Sequence, residues 1–238
     1  MPETSDTSTE SALDAETQRK VVRERYASIA AGKSEAESDC CSSDDSCCSP
    51  AETTAPTDET ARQLGYSKTE LENVDGDANL GLGCGNPHAI ASLDAGESVL
   101  DLGSGAGFDC FLAAQEVGKE GRVIGVDMTP EMVEKARTNA SQNDAENVEF
   151  RLGEIEHLPV SDESIDVIIS NCVVNLSPDK PQVFDEAFRV LRPGGRLAIS
   201  DVVLTATVPD DVRADPDSVA SCVAGASTID GLETILTD

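Results

Sequence analysis

Residues 98–118, SVLDLGSGAGFDCFLAAQEVG, decide the fold. SVLDL (98–102) is a short apolar run with the length of a buried strand. GSGAG then turns the chain, and FDCFLAAQEVG continues at helical spacing. A glycine-rich turn between a strand and a helix is the ligand-binding corner of a doubly wound α/β sheet. Gly103, Gly105 and Gly107 allow a tight turn and close approach of a ligand to the backbone. Asp101 stands two residues before the first glycine. A pyrophosphate would be repelled there, whereas a cationic ligand would be held.

The pattern repeats on both sides of this corner. RVIGVD (122–127), NVEFRL (147–152), SIDVIISN (164–171) and RLAISDVVL (196–204) read as further strands. EMVEKARTNAS after Pro130 and QVFDEAFRVL, closed by RPGG, read as the helices between them. Alternation of this kind predicts a parallel sheet covered on both faces. Upstream, LDAETQRKVVRERYASIA (14–31) predicts a helix with Val22, Tyr26 and Ile29 on one face. The chain divides into a helical segment 1–33, a flexible acidic loop 34–65 and a main domain 66–238. The main domain has a core over 97–204 and a substrate-site segment over 205–238.

Eight cysteines accompany this frame. Cys40, Cys41, Cys47 and Cys48 form two doublets in a stretch rich in Ser, Asp, Glu, Thr and Pro, which reads as a mobile loop. Adjacent cysteines suit a structural zinc site poorly, since such sites favour Cys-x-x-Cys pairs. Cys84, Cys172 and Cys222 fall where an α/β sheet builds its site, and Cys110 lies inside a helix and reads as packing. No secretory pattern opens the chain, so thiols held reduced as soft ligands or nucleophiles outweigh a disulfide scaffold.

The net charge is −29, from 46 acidic and 17 basic residues. That balance excludes direct nucleic-acid binding. No apolar run has the length of a membrane span, and a cytoplasmic location is expected. Only six of the basic residues are lysine. A strongly acidic, lysine-poor surface suits molar salt, where self-repulsion is screened. A halophilic source is expected, and a KCl titration of stability reads it.

The spacing acid-x-Gly-x-Gly-x-Gly at 101–107 resembles the S-adenosylmethionine loop of class I methyltransferases. SNCVVNLSPDK (170–180), YSKTELENV with GLGCGNP (66–87) and SCVAGA (221–226) together resemble arsenite methyltransferases. This resemblance implies a Rossmann-like parallel sheet of order 3-2-1-4-5 and S-adenosylmethionine as methyl donor, with no metal cofactor. Donor contacts are then Asp101, Gly103, Gly105, Gly107, Met128 and Asn171, with Asp127 on the ribose hydroxyls and Ile155 and Glu156 of GEIEHLP at the adenine. Cys172 and Cys222 hold trivalent arsenic, and Cys84 is a third ligand or a redox thiol. Cys40 or Cys41 is a capture or redox partner.

Arsenite and small thiols are the implied small-molecule partners, a thioredoxin or glutathione-type system the implied reductant, and a monomer the expected state. Two rival readings remain: a methyltransferase for a small carbon or oxygen nucleophile, and a thiol-based metal-binding protein. His88 is expected to have a capping or surface role. The family's final antiparallel strand pair is not found before Asp238, so a truncated chain with an open edge on its fifth strand is expected.

Overall fold

A computed structural model describes residues 13–32, 57–74, 76–206, 208–213 and 215–237. The four doublet cysteines therefore lie outside the described residues. Ahead of the sheet come α1 (Ala15–Ala30), α2 (Thr57–Gln63), α3 (Lys68–Glu72) and α4 (His88–Ala91). The alternating core follows as β1 (Ser98–Leu102), α5 (Phe108–Val117), β2 (Arg122–Asp127), α6 (Pro130–Gln142), β3 (Val148–Leu152), β4 (Ile165–Asn171), α7 (Lys180–Val190) and β5 (Leu191–Ser200). Beyond it lie β6 (Val203–Leu204), α8 (Asp210–Arg213), α9 (Pro216–Ala220), β7 (Ser227–Thr228) and α10 (Ile229–Thr237). No helix among the described residues is long and apolar enough to cross a membrane.

The five core strands are parallel, as the alternation of strands and helices implied, and their order β3-β2-β1-β4-β5 is the one the resemblance implied. The pleat of β1 divides the core. Val99 joins Cys110, Phe111 and Val117 of α5 on one face. Leu100 and Leu102 join Val183 and Val190 of α7 on the other. Asp101 shares the Val99 face, which aims its carboxyl at α5. Burial of these side chains, at about 25 cal/mol per Å² of apolar surface, is the main force holding the layers.

Two expectations need correction. The stretch read as a loop over 34–65 contains α2. The strand read over 196–204 is instead β5 from Leu191 and a separate β6, which pairs with β7. LRPGG thus belongs to β5, with Gly194 at a positive φ and a register shift against Ile165–Val167 absorbing the irregularity. β5 stops at Ser200 because the Asp201 carboxylate captures the backbone N–H groups of Val202 (2.8 Å) and Asn175 (3.1 Å). Among the described residues β5 pairs only with β4. α10 packs against α7 and β7.

α1 crosses the C-terminal edge of the sheet. Its Val22 is buried with Cys172, Leu176, Val219 and Cys222, and Tyr26, Cys84 and Met128 pack against the same cluster. This third apolar cluster caps the ends of β2, β4 and β5, where open α/β sheets bind ligands.

Candidate active site

The corner after β1 is held by backbone bonds to β2. The N–H groups of Gly103 and Ser104 donate to the Val126 carbonyl at 2.8 and 3.0 Å, and Gly105 N–H donates to Asp127 Oδ2 at 2.9 Å. Gly103 and Gly107 have φ of +68° and +95°, where a side chain would be strained. A Cβ on Gly103 would stand 2.4 Å from Val173 Cγ2, and one on Gly107 would stand 2.7 Å from Phe150. Gly105 differs, since a Cβ there meets nothing within 4 Å and faces open space. This corner lines a cleft of about 1160 Å³, open solvent included, that also reaches Met128, Ile155, Glu156, Asn171 and Cys172.

Asp101 lines the cleft and is buried. Its Oδ2 accepts from the Cys110 thiol at 3.3 Å, so the packing cysteine also orients the acid. Burial and the nearby Asp109 carboxylate hold Asp101 well above the usual carboxylate range. Among the described residues no cationic side chain forms an ion pair with it. The Ser104 hydroxyl is also buried in the cleft wall with no partner. Asp127 is oriented by Thr129 N–H at 2.8 Å and by Gly105, while burial pushes its pKa up. Glu156 Oε1 takes the Ser177 hydroxyl at 2.7 Å and Arg19 of α1 at 3.4 Å.

Cys172 lines the same cleft, and Cys84 and Cys222 share its apolar cluster under α1. Cys172 directly follows β4, with its N–H on the Ser200 carbonyl at 2.8 Å. Cys172 and Cys222 both adopt left-handed backbone, with φ of +59° and +65°. That conformation is unfavourable for a residue with a Cβ and persists only where surroundings impose it. Cys222 Sγ donates to the Cys172 carbonyl at 3.0 Å. Cys84 Sγ reaches the Ser200 carbonyl at 3.6 Å, and its N–H donates to Asn171 Oδ1 at 3.1 Å. Asp201 completes the group: its carboxylate and the sulfurs of Cys84 and Cys172 lie within 4.8 Å of one another. A hydrogen bond to Cys222 and burial push the Cys172 thiol up, although contact with Cys84 opposes them. Contact with Cys172 and burial likewise push Cys84 up.

Asn171 ties the two walls together. Its Nδ2 lies 2.9 Å from the Gly85 carbonyl, 3.0 Å from Tyr66 Oη and 3.2 Å from Asp109 Oδ2. Tyr66 donates to the other Asp109 oxygen at 2.6 Å. His88 needs correction: it is neither capping nor at the surface. The ring is buried between Glu116 Oε1 and the Asp109 carbonyl, each at 3.0 Å. Burial opposes its charge, but the carboxylates of Glu116 and Asp109 outweigh burial and raise its pKa.

Residues 93–238 match a family described as a methyltransferase domain. The chain belongs to this methyltransferase family. It is 62% identical to an arsenite methyltransferase of Halobacterium salinarum over 94% of this chain and 57% of that protein. An arsenite methyltransferase of Aquipseudomonas alcaligenes is 48% identical over 60% of this chain and 43% of its own. The chain therefore spans about half the length of these curated relatives. The crystal structure of an arsenic(III) S-adenosylmethionine methyltransferase from Chlamydomonas reinhardtii superposes with a TM-score of 0.60, at 39% identity over 74% of this chain and 60% of that one.

Within the methyltransferase frame, three contributors escaped the sequence reading. Asp201 stood inside an apparent strand, although an acid at a strand's C-terminal tip is the same signal that singled out Asp127. Tyr66 and Asp109 carried no local signal for their contact, which spans 43 positions.

Proposed function

We propose that the chain methylates trivalent arsenic with S-adenosylmethionine, holding the arsenic on Cys84, Cys172 and Cys222. The observation that carries this reading is the gathering of those three thiols, from three distant segments, in one cluster whose Cys172 lines the same cleft as the glycine corner. Thiolates are natural ligands for a soft centre. A small carbon or oxygen nucleophile would give them no role.

The donor site fits an S-adenosyl sulfonium. Among the described residues Asp101 is a buried acid in no ion pair, Asp127 would take the ribose hydroxyls, and Ile155 and Glu156 line the same cleft. Ser104 Oγ is a free buried hydroxyl beside them. When bound, the donor supplies an electrophilic methyl that the arsenic lone pair takes, the C–S electron pair staying on sulfur. The residues contribute position more than acid–base chemistry. Asp101 favours the positive charge, α1 with Val22 and Tyr26 excludes water, and the thiols point the lone pair inward. Arsenic is oxidised by two electrons in this step. A reductant of thioredoxin or glutathione type restores it, with small thiols as co-ligands and Cys40 or Cys41 as exchange partner. The working unit is a cytoplasmic monomer whose methyltransferase domain spans 66–238.

Incubation with arsenite, methyl-labelled S-adenosylmethionine and a dithiol, followed by arsenic speciation, tests this. Labelled methylarsenic is expected. Bound arsenite with no labelled product would favour a chelator.

A further inference from the structure

Asp201 has no part in an all-sulfur arsenic site, yet it shares one cluster with Cys84 and Cys172, their ligand atoms all within 4.8 Å. Its orientation is fixed. Oδ1 accepts from Asn175 Nδ2 at 2.7 Å and Val202 N–H at 2.8 Å, and Oδ2 accepts from Asn175 N–H at 3.1 Å. Such outer bonds are what aim a carboxylate at a cation. Lone pairs not used by these donors remain for the two sulfurs' side.

Two thiols and one carboxylate are a donor set for a borderline-soft divalent cation. A Zn²⁺-sized ion places sulfur at about 2.3 Å and carboxylate oxygen at about 2.0–2.2 Å. Its tetrahedral ligands then stand roughly 3.5–3.8 Å apart, about 1 Å closer than the limit found here. Side-chain rotation of Cys84, which is only half-buried, covers that difference. Trivalent arsenic keeps a lone pair and takes soft sulfur, so the hard oxygen of Asp201 adds little to it.

We infer that Cys84, Cys172 and Asp201 form a binding site for a thiophilic divalent cation such as Zn²⁺ or Cd²⁺, and that this cation competes with arsenite. On binding, each of the two thiols releases its proton to solvent, giving two thiolates and one carboxylate around the ion. Cys222 Sγ is turned to the Cys172 carbonyl, so the fourth position falls to water. The cation site rests on geometry alone, whereas its competition with arsenite rests on the proposed arsenic site; stoichiometric Cd²⁺ binding tests the first and displacement by arsenite the second.

The probe is ¹¹³Cd²⁺ added to the reduced full chain, without donor, in a background with Cys40, Cys41, Cys47 and Cys48 all changed to Ser. One equivalent with a mixed sulfur–oxygen ¹¹³Cd resonance is expected, displaced one-for-one by arsenite. Asp201→Asn should weaken Cd²⁺ binding at least ~10-fold while changing arsenite binding less than ~2-fold, a difference set by the charged oxygen. Cys84→Ser should weaken both. If Asp201→Asn fails to fold, the wild-type resonance and Cys84→Ser decide alone. An all-sulfur resonance, absence of stoichiometric Cd²⁺ binding, or failure of arsenite to displace Cd²⁺ would overturn the inference.

Discussion

The two walls of the cleft are built by different means. The donor wall comes from consecutive residues, 101–107, locked by backbone bonds to β2 and by Gly103 and Gly107, where neighbours leave no room for a side chain. The acceptor wall comes from Cys84, Cys172, Asp201 and Cys222, four segments far apart in sequence that meet only when the sheet edge, α1 and α9 close over them. A ligand with a fixed shape can be held by a rigid local turn. A soft atom that must be loaded, turned over and released needs side chains that can be pulled together and exchanged. Left-handed backbone at Cys172 and Cys222 indicates that this wall is imposed by its surroundings, not by local preference.

Separate breakage of the walls is the sharpest consequence. Cys172→Ser should lower arsenite methylation at least ~100-fold, about 2.7 kcal/mol of lost transition-state stabilisation. Donor binding by calorimetry should stay within about twofold, because ordinary serine keeps the strand end but not the soft ligand. Equal losses of donor affinity and methylation would merge the two walls into one.

The converse variant is Asp101→Asn. It should weaken S-adenosylmethionine ~10- to 100-fold, the range of a lost charge-assisted contact. Arsenite binding should be unchanged. Because burial raises the folded pKa of Asp101, its charged form opposes folding at neutral pH. The unliganded Asp101→Asn protein should therefore melt at a higher temperature than wild type. A lower melting temperature would show that Asp101 is structural first.

Gly107→Ala tests the rigidity of the donor wall. The new methyl would meet Phe150 at 2.7 Å and Phe111 at 2.9 Å, at a positive φ. A cost of about 2 kcal/mol in denaturant unfolding is expected. No loss would mean the corner can relax.

The smallest effect concerns His88, which bonds the carbonyl of Asp109, the carboxylate partner of Asn171 and Tyr66. The folded pKa of His88 is raised, so its stabilisation is fully present below about pH 6.5 and lost as pH rises through its folded value. The stability difference between wild type and His88→Asn should therefore shrink as pH increases. A difference that grows with pH would reverse the assignment of Glu116 and Asp109 as its partners.

Sequence made the donor wall legible because its chemistry is contiguous: Asp101 and three glycines carry spacing, charge and context in seven residues. The parallel sheet followed from alternation, while its strand order came from the family resemblance. The acceptor wall was legible only as three cysteine phrases, and their contact could not be read from spacing. Asp201 was hidden because periodicity runs smoothly through AISDVV, whereas the break comes from side-chain capture of the Val202 and Asn175 N–H groups. His88 was misplaced because its two partners, Glu116 and Asp109, lie about two turns apart along α5 and offer no signal near residue 88.

The most direct test of the arsenic site is the arsenic K-edge absorption of the arsenite-loaded full chain with Cys40, Cys41, Cys47 and Cys48 changed to Ser. A shell of sulfur alone is expected, with oxygen entering when Cys172 is also changed to Ser. An oxygen shell in the parent chain, or a sulfur shell untouched by Cys172→Ser, would contradict the assignment of Cys84, Cys172 and Cys222 as the groups that hold the substrate.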